Sequence, residues 1–149
     1  MRTHIPRNRG FTLIEAIAVL VLMGILATVV ISSYSSTEIN ALVAEEATLK
    51  SHLRFAQLRA MNDNASWGIA LSPGAYTLQK DAAPAPFALP GEDSVTHTLP
   101  AGISITLGAG TTVTFDQWGS PGPANIAITL SCGTDARAIP IAANTGFIP

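Results

Sequence analysis

The sequence predicts an α+β protein in which a long N-terminal helix packs, through its second half, on a C-terminal antiparallel β-sheet head. Three observations support this fold class. Between Phe11 and Asn64 there is no proline, and Gly24 is the only glycine, so nothing in the covalent chain demands a helix break. After Asn64, prolines and glycines become frequent between short runs rich in Thr, Ile and Val, a pattern typical of strands and turns. The 149 residues suffice for one domain and a stem, but not for two sizeable cores.

The first element is a short basic leader, residues 1–10, which ends at the small residue Gly10. A glycine there suits a protease cut, and cutting after it would make Phe11 the new N-terminus. The α-amine of Phe11 would then be a cation about one helical turn from Glu15. In an assembly of identical helices, the amine of one subunit would neutralise Glu15 of its neighbour. Such a pair would fix the register between subunits.

The second element is the apolar run from Phe11 to Ile31, in which Glu15 is the only charged residue. At 1.5 Å per residue this run is about 30 Å long, the thickness of a hydrocarbon core, so it is predicted to span a membrane. A carboxylate within a bilayer costs roughly 2.5–3.5 kcal/mol and usually has a partner or a function. Three arginines precede the run and no arginine follows before Arg54, which predicts a cytoplasmic N-terminus and a head across the membrane.

Two other interpretations of this run remain open. It would serve as the apolar region of an ordinary secretory signal, with Ala16–Val30 as its core and cleavage near residues 32–35. It would also serve as a plain signal anchor. The position of Glu15 disfavours the first interpretation, and the anchor explains neither Glu15 nor the glycine before Phe11.

The stretch Gly10-Phe11-Thr12-Leu13-Ile14-Glu15, after a basic leader and before about twenty apolar residues, resembles the class III signal of type IV prepilins and type II secretion pseudopilins. The resemblance covers roughly the first forty residues. It implies cleavage after Gly10 by a prepilin peptidase, N-methylation of Phe11 and a role for Glu15 in filament assembly. It also implies a bacterial inner-membrane protein with a periplasmic head, which joins a filament after assembly.

The third element, residues 32–64, is predicted to be the amphipathic half of the helix. Its apolar face contains Ile39, Leu42, Val43, Leu49, Leu53, Ala56 and Ala60. The fourth element is the head, residues 65–149. Its predicted strands are Trp67–Leu71, Tyr76–Lys80, Val95–Leu99, Ile103–Leu107, Thr111–Phe115, Asn125–Ser131 and Arg137–Ile141. A turn is predicted at residues 72–74, and an exposed loop at residues 81–93.

The charge balance argues against a broad nucleic-acid interface. Without Arg2, Arg7 and Arg9 of the leader, five basic residues remain against ten acidic ones. The basic residues of the helix, Lys50, Arg54 and Arg59, are interpreted as a solvated helix face rather than a binding patch. The single cysteine, Cys132, is predicted to be a buried small residue.

The head shows no residues that would form an enzyme site, so we predict no catalytic residues, no cofactor and no metal. The histidines His4, His52 and His97 lie in different elements, and the proximity of His97 to Glu92 and Asp93 is attributed to solvation. Asp116 is predicted to accept backbone amides in a turn. The aromatic residues Trp67, Tyr76, Phe87 and Trp118 are assigned to the core by default, with Phe87 at even odds of exposure.

Three further stretches are similar to H-type pseudopilins and T-type minor fimbrial pilins, although less specifically than the leader. They are Leu53–Met61, Thr114–Gly119 and Ile139–Ile148 with Gly146. The sequence therefore predicts a structural subunit, a minor pilin or pseudopilin of a type IV pilus or type II secretion filament. Its predicted partners are other such subunits, the prepilin peptidase and the inner-membrane assembly platform. The alternative is a membrane-anchored adhesive or DNA-uptake module of a pilus.

Overall fold

The computed structural model describes residues 11–108 and 111–149, apart from the side chains of residues 29–37. The predicted leader, residues 1–10, lies outside the described residues. The chain divides into two compact units, Met1–Thr37 and Glu38–Pro149.

Helix α1 runs from Leu13 to Asp63, which confirms the predicted unbroken helix to within two residues at either end. It begins after Thr12, whose carbonyl accepts hydrogen bonds from the backbone N–H groups of Glu15 and Ala16 at 3.1 and 3.2 Å. It stops at Asn64, which has a φ of 47°. Asparagine is one of the few residues that readily adopts this left-handed conformation, which commonly ends a helix.

The second half of α1 buries a stripe of apolar side chains against the head, formed by Leu42, Leu49, Leu53, Ala56 and Ala60. Their spacing of three, four or seven residues keeps them on one side of the helix. The prediction is wrong for two residues of this face, Ile39 and Val43, which are 39% and 41% exposed. Val43 follows Leu42 directly, so it points about 100° away from the buried stripe.

Eight strands follow the helix within residues 64–108 and 111–149. They are β1 (Trp67–Ser72), β2 (Ala75–Lys80), β3 (Ala83–Pro84), β4 (Thr96–Thr98), β5 (Ile103–Leu107), β6 (Thr112–Phe115), β7 (Ile126–Cys132) and β8 (Asp135–Ile141). Seven of them match the predicted strands to within two residues, and the two-residue strand β3 was missed.

The strands form two antiparallel sheets rather than the one sheet that was predicted. The first has the order β3-β2-β1-β6, with β4 also paired to β2, and the second has the order β5-β7-β8. β1 and β2 form a hairpin around Pro73 and Gly74, as predicted. The backbone N–H of Ile105 donates to the carbonyl of Pro73 at 3.0 Å, which joins β5 of the second sheet to the first hairpin. Alternating apolar residues identify a strand but not its partner, so the division into two sheets was not predictable from the pattern.

The core lies between the buried stripe of α1 and the inner faces of the strands. Its largest fully buried side chains include Trp67, Tyr76 and Phe115, and the predicted burial of Trp67 and Tyr76 is confirmed. Trp118 corrects the default assignment to the core, because it is 76% exposed. Phe87 is half-buried against the core.

The proline-rich segment 81–93 is exposed at most of its positions, as predicted, but it also contributes to the core. Ala85 and Leu89 are buried in the core, and the backbone N–H of Ala85 donates to the carbonyl of Leu78 at 3.0 Å. Apolar residues placed between prolines allow an extended segment to cover the core beyond its short pairing of β3 with β2. The prolines indicate a loop, whereas the apolar residues between them, Ala85 and Leu89, bury part of it.

Candidate functional site

The predicted processing and assembly residues lie at the start of the described chain. Gly10 lies outside the described residues, while Phe11 precedes the helix and is 83% exposed. Glu15 lies in the first turn of α1 and is exposed. A negative charge is favourable there, because the backbone N–H groups of the first turn give the helix N-terminus a partial positive charge.

The start of the helix also contains the sequence pattern of a capping motif, which was not among the predictions. Thr12 is the residue before the helix, and Glu15 follows three positions later, which is the spacing of a capping box. In that motif the hydroxyl and the carboxylate satisfy backbone N–H groups that the first turn leaves without partners. The signal was visible in the sequence as Thr-x-x-Glu ahead of an apolar run. Any test of Glu15 must therefore separate its charge from its capping ability.

The apolar side chains of the stem are exposed throughout its described part. Between Phe11 and Leu26 the large apolar residues range from 46% exposed at Val19 to 83% at Phe11. Monomeric soluble proteins rarely expose a continuous apolar surface of this kind, which marks a surface covered by a partner or by lipid. Most of the exposed large apolar residues in the part of the chain that the structure describes therefore lie in this stem.

The described helices include none that is both long and apolar enough to cross a membrane. The predicted span, Phe11–Ile31, ends among residues 29–37, whose side chains lie outside the description. The membrane span therefore stays a prediction.

A second candidate site lies in the head, where His97 contacts two carboxylates. Its Nδ1 atom is 2.6 Å from Oε1 of Glu92, and its Nε2 atom is 3.0 Å from Oε2 of Glu45. The attribution of the His97 position to solvation was therefore wrong. Glu45 lies 52 positions away along the chain, so no sequence proximity pointed to it. One signal existed, because Glu45 lies close to the buried stripe of α1, in the turn before Leu49.

A second histidine completes this cluster. Nε2 of His52 is 3.1 Å from the carbonyl of Pro90, and its Nδ1 is 2.8 Å from the hydroxyl of Tyr76. A carbonyl only accepts, so Nε2 carries the proton and Nδ1 accepts a hydrogen bond from Tyr76. The ring of His97 stacks on that of Tyr76, with 4.8 Å between the ring centroids.

Burial controls the ionisation of two members of the cluster. It lowers the pKa of the His52 imidazole below its ordinary value, and the hydrogen bond to Pro90 only partly opposes this effect. Burial also raises the pKa of the Tyr76 hydroxyl, and the negative charges of Glu45 and Glu92 add to that shift. Both groups are therefore neutral at neutral pH. His52 and Tyr76 hydrogen-bond to each other, and the remaining groups are carboxylates held by His97, so the cluster has no free nucleophile with an adjacent base.

Asp116 and Cys132 of the head have the surroundings predicted for them. Oδ1 of Asp116 accepts hydrogen bonds from the N–H groups of Trp118 and Ser120 at 2.9 and 2.8 Å, which confirms the predicted turn. Cys132 is buried at the end of β7, as predicted. Among the described residues, no three His, Cys, Asp or Glu side chains are grouped to hold a metal ion.

The basic residues of the helix do not form one patch. Lys50 pairs with Glu46 at 2.9 Å, Arg54 donates to the carbonyl of Ile148 at 3.1 Å, and Arg59 lies 4.5 Å from the ring centroid of Phe87. Each of these three cations thus has its own partner on α1 or in the head, which leaves little positive charge for an anionic ligand.

The three weaker resemblance stretches meet at a single point. Nε2 of Gln57 donates to the carbonyls of Gly119 at 2.8 Å and Gly146 at 3.1 Å. Gly146 has a φ of 62°, and an added Cβ there would collide with the carbonyl oxygen of Gly119. One residue from each stretch therefore contributes to this junction of the helix with two loops.

The fold and the exposed stem together define the pilin class of structural subunits, in which a long N-terminal helix carries an α+β head. The chain belongs to the family described as type II transport protein GspH, which matches residues 47–146. Residues 5–31 match the prokaryotic N-terminal methylation motif, which confirms the predicted signal. This family consists of minor pseudopilin and pilin subunits, and the predicted minor pilin or pseudopilin is confirmed at this level.

Two known proteins illustrate the similarity. The chain is 31% identical over 67 residues to the type II secretion system protein H of Klebsiella pneumoniae, a match that covers 45% of this chain and 39% of that protein. It resembles the type IV minor pilin FimU of Pseudomonas aeruginosa with a TM-score of 0.58, at 17% identity over 76% of this chain and 90% of FimU. A second crystal form of FimU gives a TM-score of 0.53. The FimU likeness confirms the α+β fold.

Proposed function

We propose that this chain is made as a precursor, trimmed after Gly10 and methylated on the amine of Phe11. It then serves as a minor subunit of a type II secretion or type IV pilus filament. The observation that carries the proposal is the exposed apolar stem of residues 11–28, which begins with one carboxylate. Such an apolar surface is usually buried against lipid or a partner protein. The match of residues 5–31 to the methylation motif suggests the bilayer and the stems of other filament subunits.

In this proposal the apolar side chains of the stem contact first lipid and then neighbouring subunits. Before assembly, the run from Phe11 to Ile31 spans the inner membrane with the N-terminus in the cytoplasm and the head in the periplasm. During assembly the same side chains exchange lipid for the stems of neighbouring subunits. Because both environments are apolar, the hydrophobic cost of leaving the bilayer is largely offset.

Glu15 fixes the relative position of neighbouring stems along their axes. A carboxylate among apolar stems is costly unless it is paired, and the methylated amine of Phe11 on a neighbouring subunit is the cation that cleavage creates. The amine exists only after the cut, so processing and assembly are coupled. An uncleaved precursor would lack the partner for Glu15.

The remaining partners follow from the same proposal. The prepilin peptidase cuts and methylates the chain, and an inner-membrane platform with its ATPase extracts it from the bilayer. The protein itself has no enzymatic role and needs no cofactor. Its head forms contacts with other pilin or pseudopilin subunits.

The proposal is tested first by mass spectrometry of the N-terminal peptide and of the intact protein. The membrane-extracted chain is prepared from a host with a prepilin peptidase and from one without it. We expect a chain that starts at methylated Phe11 in the first host only. An intact Met1–Pro149 chain in both hosts would instead indicate a plain signal anchor, and a start near Ser33 would indicate a secreted soluble domain.

The role of Glu15 is tested by two variants with one matched control. Glu15→Ala removes both the charge and the capping group, whereas Glu15→Gln removes the charge and keeps a capping side chain. If Glu15 pairs with an amine, both variants are inserted and processed but enter filaments poorly. Glu38→Gln, at an exposed acidic position further along α1, should assemble normally. Normal assembly of Glu15→Gln would assign Glu15 to capping alone.

One observation favours the alternative of an adhesive role. The indole of Trp118 is 76% exposed beside a groove of about 590 Å³, and the lining of this groove includes Asp81, Asp116 and Gln117 but no basic residue. Such a groove does not suit nucleic acid, which leaves adhesion to a neutral surface as the second candidate. Trp118→Ala would abolish adhesion and leave filament incorporation intact if that role exists.

A further inference from the structure

A groove in the head lies at one end of the first sheet, where three strand ends meet. Ser66 directly precedes β1, Asp81 directly follows β2 and Asp116 directly follows β6. Because β1 pairs with both β2 and β6, these three residues lie at the same end of the sheet. The groove has a volume of about 590 Å³, within the ordinary range of ligand sites. We call it the Trp118 groove, and it is lined by residues 64–66, 81, 114, 116–118 and 120–122.

One wall of the Trp118 groove is held by reciprocal hydrogen bonds between Ser66 and Asp81. The backbone N–H of Asp81 donates to the carbonyl of Ser66 at 2.7 Å, and the N–H of Ser66 donates to Oδ1 of Asp81 at 3.1 Å. Asn64 and Asp81 have φ values of 47° and 49°, a left-handed conformation that Asn and Asp adopt more readily than most residues. Local structure therefore fixes this wall without help from a ligand.

A second wall is the turn that carries Trp118. Oδ1 of Asp116 accepts hydrogen bonds from the N–H groups of Trp118 and Ser120 at 2.9 and 2.8 Å. The N–H of Gly119 donates to the carbonyl of Asp116 at 2.9 Å. The turn is thus ordered, while the indole of Trp118 is 76% exposed. Aromatic side chains lose little conformational entropy on binding, so an indole on an ordered turn is suited to contact a ligand.

The polar side chains of the groove set the chemistry of that ligand. They are hydroxyls, amides and carboxylates, and none of the described residues that line the groove is basic. The described hydrogen bonds of Asp81 and Asp116 use Oδ1, which leaves Oδ2 of each carboxylate to accept from a ligand. The amide of Gln117 both donates and accepts. A matching ligand therefore supplies several donors, also accepts hydrogen bonds and has no negative charge.

A neutral saccharide has this combination of groups. One face of a sugar ring exposes mainly C–H groups, which pack on an indole, and its edge carries hydroxyls that both donate and accept. A nucleic acid or an acidic glycan would bring negative charge beside two carboxylates. A cationic ligand is typically enclosed by several aromatic rings, whereas Trp118 is the only aromatic residue among the described residues of the lining.

We propose that the Trp118 groove binds a neutral saccharide, with one sugar ring stacked on the indole and its hydroxyls hydrogen-bonded to Asp81, Asp116 and Gln117. This proposal rests on the adhesive role given above as the second candidate function, and it names the class of surface to which the head would adhere. The saccharide is recognised by its shape and hydroxyl pattern, because the groove offers no cation for a charged group.

Isothermal titration calorimetry of the full chain tests this proposal, in a detergent without a sugar headgroup. The probes are three neutral oligosaccharides: cellohexaose, maltohexaose and chitohexaose. We expect at least one of them to bind. The same probe should quench or shift the emission of Trp118 in a Trp67→Phe variant, in which Trp118 is the only tryptophan. No binding of any of the three would overturn the proposal.

Two variants and a control locate the site. Trp118→Ala should weaken binding about tenfold or more, because it removes the stacking surface. Asp81→Asn should also weaken it about tenfold, because Oδ2 is lost while an oxygen remains for the N–H of Ser66. Phe147→Ala removes an aromatic residue that is 65% exposed and lies outside the lining, so it should bind like the native chain. Equal binding by the native chain and Trp118→Ala would overturn the proposal.

Two rival ligands are tested with the same proteins. Choline probes a cationic ligand, and sedimentation of the native chain and Trp118→Ala probes docking of a second copy. Choline binding or self-association that depends on Trp118, without oligosaccharide binding, would overturn the saccharide site. The filament role is judged separately, by processing at Phe11 and by incorporation into filaments. If Trp118→Ala abolishes adhesion but no oligosaccharide binds, the adhesive role stands and the ligand class is wrong.

Discussion

The two halves of helix α1 have similar backbones and opposite surroundings. From Phe11 to Leu26 the large apolar side chains are exposed, whereas further along the helix Leu42, Leu49 and Leu53 are almost fully buried. Both halves are helical because neither contains a proline. The difference lies in what covers them, since the second half has the sheets of its own head and the first half has no cover within the described chain. The exposed apolar surface of the first half is therefore available to bind a partner or lipid, whereas the buried surface of the second half stabilises the folded head.

The largest expected effect comes from exchanging a leucine for alanine in each half. Leu53→Ala removes a fully buried side chain, and we expect it to lower the free energy of unfolding of the head by about 2–5 kcal/mol. Leu20→Ala, at a position 68% exposed, should leave that free energy nearly unchanged. Denaturant unfolding of the detergent-solubilised chain measures both. Equal destabilisation by the two variants would show that the stem also contributes to the stability of the head.

The second largest effect is expected at the junction of helix and loops. Gly146→Ala forces a side chain at a φ of 62° and drives its Cβ into the carbonyl oxygen of Gly119. Gly133→Ala is the matched control, because Gly133 has a φ of 58° but open space around an added Cβ. The shared backbone strain costs about 1–2 kcal/mol. Gly146→Ala should exceed its control by about 1–3 kcal/mol in the same unfolding measurement, because of the collision. Equal effects would show that the junction can relax.

These two predictions also mark what could be read from the sequence. Local patterns predicted three features. The absence of proline predicted the long helix, the stretch Gly10–Glu15 indicated a prepilin signal, and alternating apolar residues predicted seven strands. The division into two sheets, the burial of Leu89 and the contact between Glu45 and His97 did not follow. Each of these depends on which distant segments meet, which local periodicity leaves undetermined. The junction at Gln57 is an intermediate case, because its three stretches were noticed separately but their meeting was not.

A third prediction concerns the stability of the head on the acid side and the buried imidazole of His52. Burial lowers the pKa of His52 in the folded protein, so the unfolded chain binds a proton at a higher pH than the folded one. As the pH falls below about 6.5, the unfolded state therefore gains protons first, and stability decreases. His52→Gln should flatten this decrease between about pH 7 and pH 5 in unfolding titrations. If His52→Gln keeps the slope of the native chain, carboxylates rather than His52 cause the acid sensitivity.

The smallest expected change in the free energy of unfolding concerns the loop that carries Trp118, because it affects a turn and not the core. Asp116→Ala removes the acceptor of two backbone N–H groups, those of Trp118 and Ser120, and resembles the loss of a helix cap. We expect it to lower the free energy of unfolding by about 1 kcal/mol, because both donors are exposed and water replaces the carboxylate. Asp135→Ala, at an exposed carboxylate at the start of β8, is the control and should change it by less than about 0.5 kcal/mol. Fluorescence anisotropy of Trp118, measured in a variant with Trp67 replaced by Phe, would report the mobility of the loop directly. A lower anisotropy in Asp116→Ala, with little loss of stability, would show that this carboxylate orders the exposed indole of Trp118. The stability of the head would then come from its core.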